Sequence, residues 1–252
     1  MTGVTRALLA LLPVSTLTLL HFSAGKAIRF VAFFSALPIL FGAIYRIGNI
    51  DDAPGLYFSD VILATVFGTL LPIATLILAT SAFRDEIEDR TMVYLIVKPV
   101  SRFRIVAEKY LAVTESTVLS LWLGIIATWA LVSAGAMPDT VDVLVAALVA
   151  TLVGVAAYSA VFIAVSLIVP RALIVGILYA IVWESLLSRF IPGVWTLSVR
   201  HYVDSIFVRL VDDPGVSVDS AVQLYSAFPA VLVTIVISLA LATLRLRTMD
   251  FE

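Results

Sequence analysis

The chain has 252 residues, of which 62% are hydrophobic and 13% are charged, and its formal net charge is −2. Soluble domains are about 45–50% apolar and about 25% charged, so this composition excludes an ordinary soluble protein and predicts an integral membrane protein. The chain has no Cys and only two His. It therefore lacks disulfides and thiolate metal sites, and we do not expect it to build a transition-metal centre on its own.

The apolar runs predict an all-α integral membrane protein with one transmembrane domain over residues 1–252. The first apolar block contains Pro13 and is flanked by Arg6, Lys26 and Arg29. We expect residues 1–29 to form a helix in the membrane interface; a true span or a signal peptide are the alternatives. Six transmembrane helices follow, at about 30–45, 61–83, 110–133, 142–169, 172–187 and 221–244.

Prolines and small residues mark particular places in these spans. Pro38 predicts a kink in the first span, and Pro72 frees one backbone carbonyl in the second. Residues 46–60 are polar enough for a loop. Gly154, with Ala157, Ala160 and Ala164 after it, predicts close helix packing in the fourth span.

The basic residues indicate the orientation of the chain in the membrane. With six spans, twelve of the sixteen Lys and Arg residues fall on the side that carries both termini and residues 84–109. Basic residues are enriched in cytoplasmic loops. We therefore expect a multi-pass protein of the plasma (inner) membrane with both termini and residues 84–109 in the cytoplasm.

The chain is organised around residues 84–109, where eleven of 26 residues are charged. Each such charge would cost about 2.5–3.5 kcal/mol at the centre of a bilayer, so the segment must project into water. An apolar run at 92–97 lies between two charged arms, Pro99 ends it, and Ser101 is placed to cap a helix that enters the third span. Phe103, Val106, Ala107 and Tyr110 then predict one apolar stripe on that helix. We interpret the segment as a docking element that receives force from a partner; a merely solvated loop is the alternative.

Motifs for catalysis are absent from the sequence. It contains no GxxxxGK[ST] phosphate loop, no HExxH and no GxSxG, so we expect no catalytic, cofactor-binding or metal-binding residue and no enzyme activity. The basic and aromatic run at 102–104 indicates a lipid or partner contact rather than a nucleic-acid site.

On the opposite side, residues 188–221 are too polar to span and too apolar for open water. We predict one or two short helices at or dipping into the outer leaflet. Glu184 is an acid near the outer end of the fifth span, and it could pair with Arg189, Arg200 or His201 to hold an external gate shut. A structural ion pair or a direct cargo contact are the alternatives.

Two stretches resemble type 2 ABC transporter permeases. After the second span, that family has an acidic residue and a Gly-Thr, then an apolar run, a Pro, a Ser-Arg and a Lys that opens the next span. The matching residues here are Glu88, Thr91, Leu95, Lys98-Pro99, Ser101-Arg102 and Lys109, with Arg90 where the family usually has Gly. Residues 183–185, 192–193 and 197–202 are similar to the stretch after the family's fifth span.

The resemblance implies a membrane subunit without its own ATPase. Two such permeases, identical or similar, would bind two nucleotide-binding subunits that hold ATP and Mg²⁺. Residues 84–109 would then contain a cytoplasmic coupling helix. The residues implied to couple to the ATPase are Glu86, Glu88, Arg90, Thr91, Pro99, Ser101, Arg102 and Lys109.

The expected function is export of a hydrophobic, lipid-like, drug-like or peptide substrate. The alternative is an ATP-driven scaffold or maturation factor that acts on an external protein. An ion-coupled transporter or channel working alone is disfavoured, because Glu184 is nearly the only charge deep in a predicted span.

Overall fold

A computed structural model of the chain describes residues 15, 18–19, 25–48, 50–88, 101–180, 182 and 198–249, and only the backbone of 84–88. This part of the chain is all-α and contains no strand. Its helices are α1 (Lys26–Ser35), α2 (Leu37–Gly48), α3 (Pro54–Val61), α4 (Leu71–Glu88), α5 (Arg102–Val132), α6 (Val141–Ile168), α7 (Ala172–Leu178), α8 (Val199–Val211) and α9 (Leu224–Thr248). A π-helical segment, Ile62–Leu70, joins α3 to α4, and a 3₁₀ turn, Met137–Thr140, precedes α6.

Five helical segments of the described chain are long and apolar enough to cross a membrane. They are Lys26–Gly48, Pro54–Phe83, Arg102–Val132, Met137–Ile168 and Leu224–Thr248. These correspond to the predicted first, second, third, fourth and sixth spans. The predicted fifth span is described mainly through α7, so the six-span arrangement stays a prediction.

Several predicted boundaries are wrong. The first span begins at Lys26 rather than after residue 29, and the interfacial helix predicted for residues 1–29 lies mostly outside the described residues. The predicted loop at 46–60 ends early, because α3 begins at Pro54. Proline fits the first turn of a helix, because a backbone N–H at that position would have no hydrogen-bond partner within the helix. The last span begins at Leu224 rather than Ala221.

The two prolines distort their helices in different ways. Pro38 lies in the first turn of α2, and the first span breaks at Ala36 directly before it, as predicted. Ahead of Pro72 the chain widens into the π-helical segment, in which the N–H of Leu71 donates to the carbonyl of Val66. A proline ring clashes with the carbonyl four residues earlier, and a wider turn accommodates it. The sequence predicted the freed carbonyl but not the π segment.

Helix α6 is the centre of the bundle and packs against α4, α5, α8 and α9. It is apolar on all sides, as expected for a helix surrounded by others. The small residues predicted to form a close interface, namely Gly154, Ala157, Ala160 and Ala164, are all buried on it. Trp122 of α5 donates its indole N–H to the carbonyl of Leu148, at 3.1 Å, which ties α5 to α6.

The first span packs closely on α5 through two glycines. A Cβ atom at Gly124 would collide with the carbonyl oxygen of Ser35, and one at Gly42 would lie 3.2 Å from the carbonyl oxygen of Thr128. Such close backbone approach is the usual role of small residues at helix interfaces in lipid.

We expect Gly124→Ala to destabilise the protein by about 1–3 kcal/mol, because the added methyl group forces the first span away from α5. The measurement is the thermal unfolding midpoint of the detergent-solubilised protein. Gly55→Ala is the matched control, since a Cβ atom there meets its neighbours at an ordinary 3.7 Å. Equal midpoints for the two variants would contradict the close contact.

Candidate functional site

One candidate site lies where α4 ends and α5 begins, which we call the coupling end of the bundle. Helix α4 continues past residue 83, the predicted end of the second span, and runs to Glu88. Helix α5 begins at Arg102, and the hydroxyl of Ser101 accepts the N–H of Arg104 at 3.3 Å. The predicted N-cap is therefore confirmed. The segment between these two helices, 89–100, lies outside the described residues.

The side chain of Lys109 joins the two helices. Lys109 is fully buried, its Nζ donates to the backbone carbonyl of Ala82, and the ammonium lies 4.9 Å from the centre of the Phe83 ring. A buried cation needs such partners, because an isolated charge is strongly penalised in an apolar environment. The contact attaches the third turn of α5 to the end of the second span.

Beside it, Glu108 makes the next connection. Its carboxylate is 2% exposed; one oxygen accepts the Arg104 Nε–H at 2.6 Å and the other accepts the backbone N–H of Ser15 at 3.1 Å. Arg104 and Glu108 are four residues apart, the spacing at which helical ion pairs form. Ser15 is thus bound to the start of α5.

Arg102 and Phe103 lie at the surface of the coupling end. Phe103 is 58% exposed, so the first residue of the predicted stripe of Phe103, Val106, Ala107 and Tyr110 lies at the surface, whereas Val106 is buried. Ile105 and Lys109 are also fully buried. The half-buried Arg102 has a guanidinium nitrogen, Nη1, that is itself buried and makes no hydrogen bond with the residues that the structure describes.

The structure thus places Ser101, Arg102 and Lys109 together at the start of α5. Glu86 and Glu88 belong to the last turn of α4, and their side chains are not among the described ones. Arg90, Thr91 and Pro99 lie outside the described residues. Sequence reasoning missed Glu108 as a buried anchor, although its spacing from Arg104 was a usable signal.

A second candidate site lies around α8, which penetrates deep into the bundle. A Cβ atom added at Gly154 of α6 would lie only 2.9 Å from the side chain of Val203 in α8 and 2.9 Å from the side chain of Leu71 in α4. Gly154 is midway along α6, with about 20 Å of helix on either side at 1.5 Å per residue. The other end of α8 is followed by Gly215, which packs against Leu56 near the start of α3. Helix α8 therefore runs from the middle of the bundle to the end opposite the coupling end.

Arg200 fastens this helix to the π segment. Its Nε lies 3.3 Å from the Asp204 carboxylate, with the two side chains only 11% and 12% exposed. Its Nη2 lies 3.4 Å from the Leu63 carbonyl, and a Cβ atom at Gly68 would be 3.0 Å from that nitrogen. Gly68 therefore leaves the space in which the guanidinium lies against the π segment.

Helix α8 is held by its own N-cap and by the chain that follows it. Ser198 accepts the backbone N–H of His201 at 3.2 Å, so Ser198 is the N-cap. Ser205 accepts the backbone N–H of Val222 at 3.1 Å, which ties α8 to the segment before α9. Val199 and Tyr202 also line a cavity of about 370 Å³ between α6, α8 and α9.

Of the residues predicted to form an external gate, Arg200 and His201 are both in the first turn of α8, and Glu184 lies outside the described residues. The partner of Arg200 is Asp204, which sequence reasoning missed although the two are four residues apart. In the described part of the chain, no three His, Asp or Glu side chains form a group that could hold a metal ion.

We expect Lys109→Met to destabilise the protein by about 1–3 kcal/mol, because the Ala82 carbonyl loses a charged donor while the volume of the side chain is nearly kept. The thermal unfolding midpoint in detergent measures this, with Arg247→Gln as a control at an exposed basic residue of the same end. Partial recovery in Lys109→Arg is expected if the donor is what matters. An unchanged midpoint for Lys109→Met would show that the contact is not stabilising.

Comparison with known proteins identifies the family. A family model described as "ABC-2 family transporter protein" matches residues 22–186, which is more than half of the chain. No curated protein matches the chain. The matched region covers the first four predicted spans, all but the last residue of the predicted fifth span, the whole coupling end and the Lys109 contact. The chain therefore belongs to the ABC-2 transporter family and is a membrane permease subunit of an ABC transporter.

Proposed function

We propose that the protein exports a hydrophobic, lipid-like, drug-like or peptide substrate, driven by two separate ATPase subunits that dock on residues 84–109 from the cytoplasm. A second permease, identical or similar, completes the complex. ATP and Mg²⁺ bind to the ATPase subunits. The observation that carries the proposal is the buried Lys109 contact, which makes the two helices on either side of the docking segment one mechanical unit.

The coupling end has the features that a force-receiving element needs. Residues 84–109 include the end of α4, the start of α5 and the chain that joins them, so a push on this segment acts on the ends of both helices. Because Lys109 connects α5 to α4 and Glu108 connects α5 to Ser15, the two helices and Ser15 move together rather than separately. Arg102 and Phe103 offer a cation and an aromatic ring at the surface, which are residue types enriched at protein interfaces.

The opposite end has the features of a gate. Helix α8 blocks the middle of the bundle, and it is held there by the Arg200–Asp204 pair and the Leu63 carbonyl. Release of Arg200 from the π segment would free the first turn of α8, and the adjacent cavity gives that turn room to move. Tilting of α4 by the ATPases would act on this contact, since the π segment is continuous with α4.

We expect Arg102→Glu to lower the amount of ATPase subunit that co-purifies with the permease by about 30-fold, as for loss of an interface hot spot. Membrane insertion should be unchanged, since Arg102 lies at the surface. The measurement is the ratio of the two subunits after affinity purification of the co-produced complex. Arg247→Glu, an equal charge change at the end of α9, is the control.

A normal subunit ratio and a normal rate of ATP hydrolysis in Arg102→Glu would refute the docking assignment. Stimulation of ATP hydrolysis separates export from action on a partner protein. Export predicts stimulation by a small hydrophobic compound or peptide. Stimulation only by a soluble external protein would support the scaffold function instead.

We expect the double variant Arg200→Met/Asp204→Asn to open the gate without leaving an unpaired buried charge. Because the chain has no native Cys, Ala157→Cys places a single thiol at the cavity beside α8. The complete complex is placed in vesicles, and a membrane-impermeant maleimide is added to the external solution. The measurement is the rate at which this reagent labels the thiol at position 157. The double variant should be labelled about tenfold faster than the Ala157→Cys parent.

Arg46→Gln in the same Ala157→Cys background is the control, since Arg46 is an exposed arginine outside α8 whose only described bond is to the Ala134 carbonyl. Equal labelling rates in the double variant and the parent, with full labelling after unfolding, would show that Arg200 does not hold a gate.

A further inference from the structure

An apolar groove lies on the surface of the bundle between α1, α4 and α7. Its volume is about 530 Å³, within the range of about 300–1,000 Å³ that is typical of small-molecule sites. Phe30 and Phe34 of α1 line one wall, Ile73 and Ile77 of α4 form the floor, and Ile177 of α7 lines the other wall. We call it the inner groove.

The inner groove lies in the half of the membrane next to the coupling end. Helix α1 starts at Lys26 and α7 starts just after Arg171, and both starts are at that end of the bundle. The floor is formed by the part of the second span that leads toward Phe83. All of these residues belong to helices embedded among the spans, so the medium that meets the groove is the acyl-chain region of the inner leaflet.

A single cation stands at one end of this otherwise apolar surface. Lys26 lines the groove, its side chain is exposed, and it forms no ion pair or hydrogen bond with the residues that the structure describes. Lysine side chains near helix ends extend toward the headgroup layer. The ammonium of Lys26 is therefore placed at the level of the lipid phosphates, and the apolar inner groove leads from it into the leaflet.

We propose that the inner groove binds one acyl chain of an anionic phospholipid from the inner leaflet, with the headgroup on Lys26. The aromatic and branched side chains of the groove contact the chain and make the site a lipid site. The ammonium gives the preference for a headgroup with net negative charge, since one basic residue near an anionic membrane surface supplies about a fivefold preference. The inference depends on α1 and α7 lying in the bilayer and not on the docking of ATPases.

The test counts the lipid that stays bound to the protein. The complete complex is reconstituted in vesicles of equal parts phosphatidylglycerol and phosphatidylcholine, extracted in mild detergent and measured by native mass spectrometry. We expect about fivefold more bound phosphatidylglycerol than phosphatidylcholine for the wild type. In Lys26→Gln the two should be bound about equally, and in Ile177→Trp, whose indole fills the groove, both should be lost. Arg247→Gln, which changes a basic residue outside the groove, should keep the wild-type preference.

Two results would overturn the proposal. Unchanged lipid binding in Ile177→Trp, with normal elution of the complex, would place the lipid elsewhere. Phe34→Cys in this Cys-free chain tests whether a second copy covers the groove. If oxidation joins two permeases through Cys at position 34 and no lipid is retained, the groove is an interface between copies.

Discussion

A cation in an apolar environment needs hydrogen-bond acceptors, because no water is present to solvate it. Basic side chains of this bundle find such acceptors in backbone carbonyls. Lys109 donates to Ala82, and Arg200 donates to Leu63 in the π segment. Arg245 lies 3.4 Å from the carbonyl of Leu167, at the end of α6. Each of these bonds joins helices that are far apart in the sequence, so satisfying the cations also fixes how the bundle is assembled.

The same constraint links the two candidate sites. Pro72 interrupts the second span, the chain widens before it, and Arg200 binds where the widened turn exposes a carbonyl. Eighteen residues after the π segment the same helix ends, and Lys109 binds it near that end, at Ala82. The second span is thus held by a cation near its middle and by another at its end. A change at either contact alters the position of the helix that runs between them.

Much of the fold could be predicted from the sequence because hydrophobicity and proline act locally. Five of the predicted spans, the kink at Pro38 and the cap at Ser101 follow from residue type and spacing alone. The errors are also local in origin: a proline in a first turn, as at Pro54, looks like part of a loop. The carbonyl partners of Lys109 and Arg200 were beyond sequence reasoning, because a backbone carbonyl carries no residue-specific signal. Asp204 and Glu108 were missed although each lies four residues from its arginine, because that spacing of opposite charges also occurs on exposed helix faces and does not by itself indicate burial.

The π segment has a consequence for the geometry of the whole second span. Each residue of an α-helix turns the chain by about 100°, whereas a π turn carries surplus residues that advance the helix with less rotation per residue. The azimuth at which α4 leaves the segment relative to α3 therefore depends on how many residues the widened stretch contains. Removing one residue from 62–70 would rewind it toward an α-helix and swing the far end of α4 around its own axis. The face that now carries Ala82 toward α5 would then point elsewhere. The number of residues in the π segment therefore determines how the two ends of the second span are rotated relative to each other.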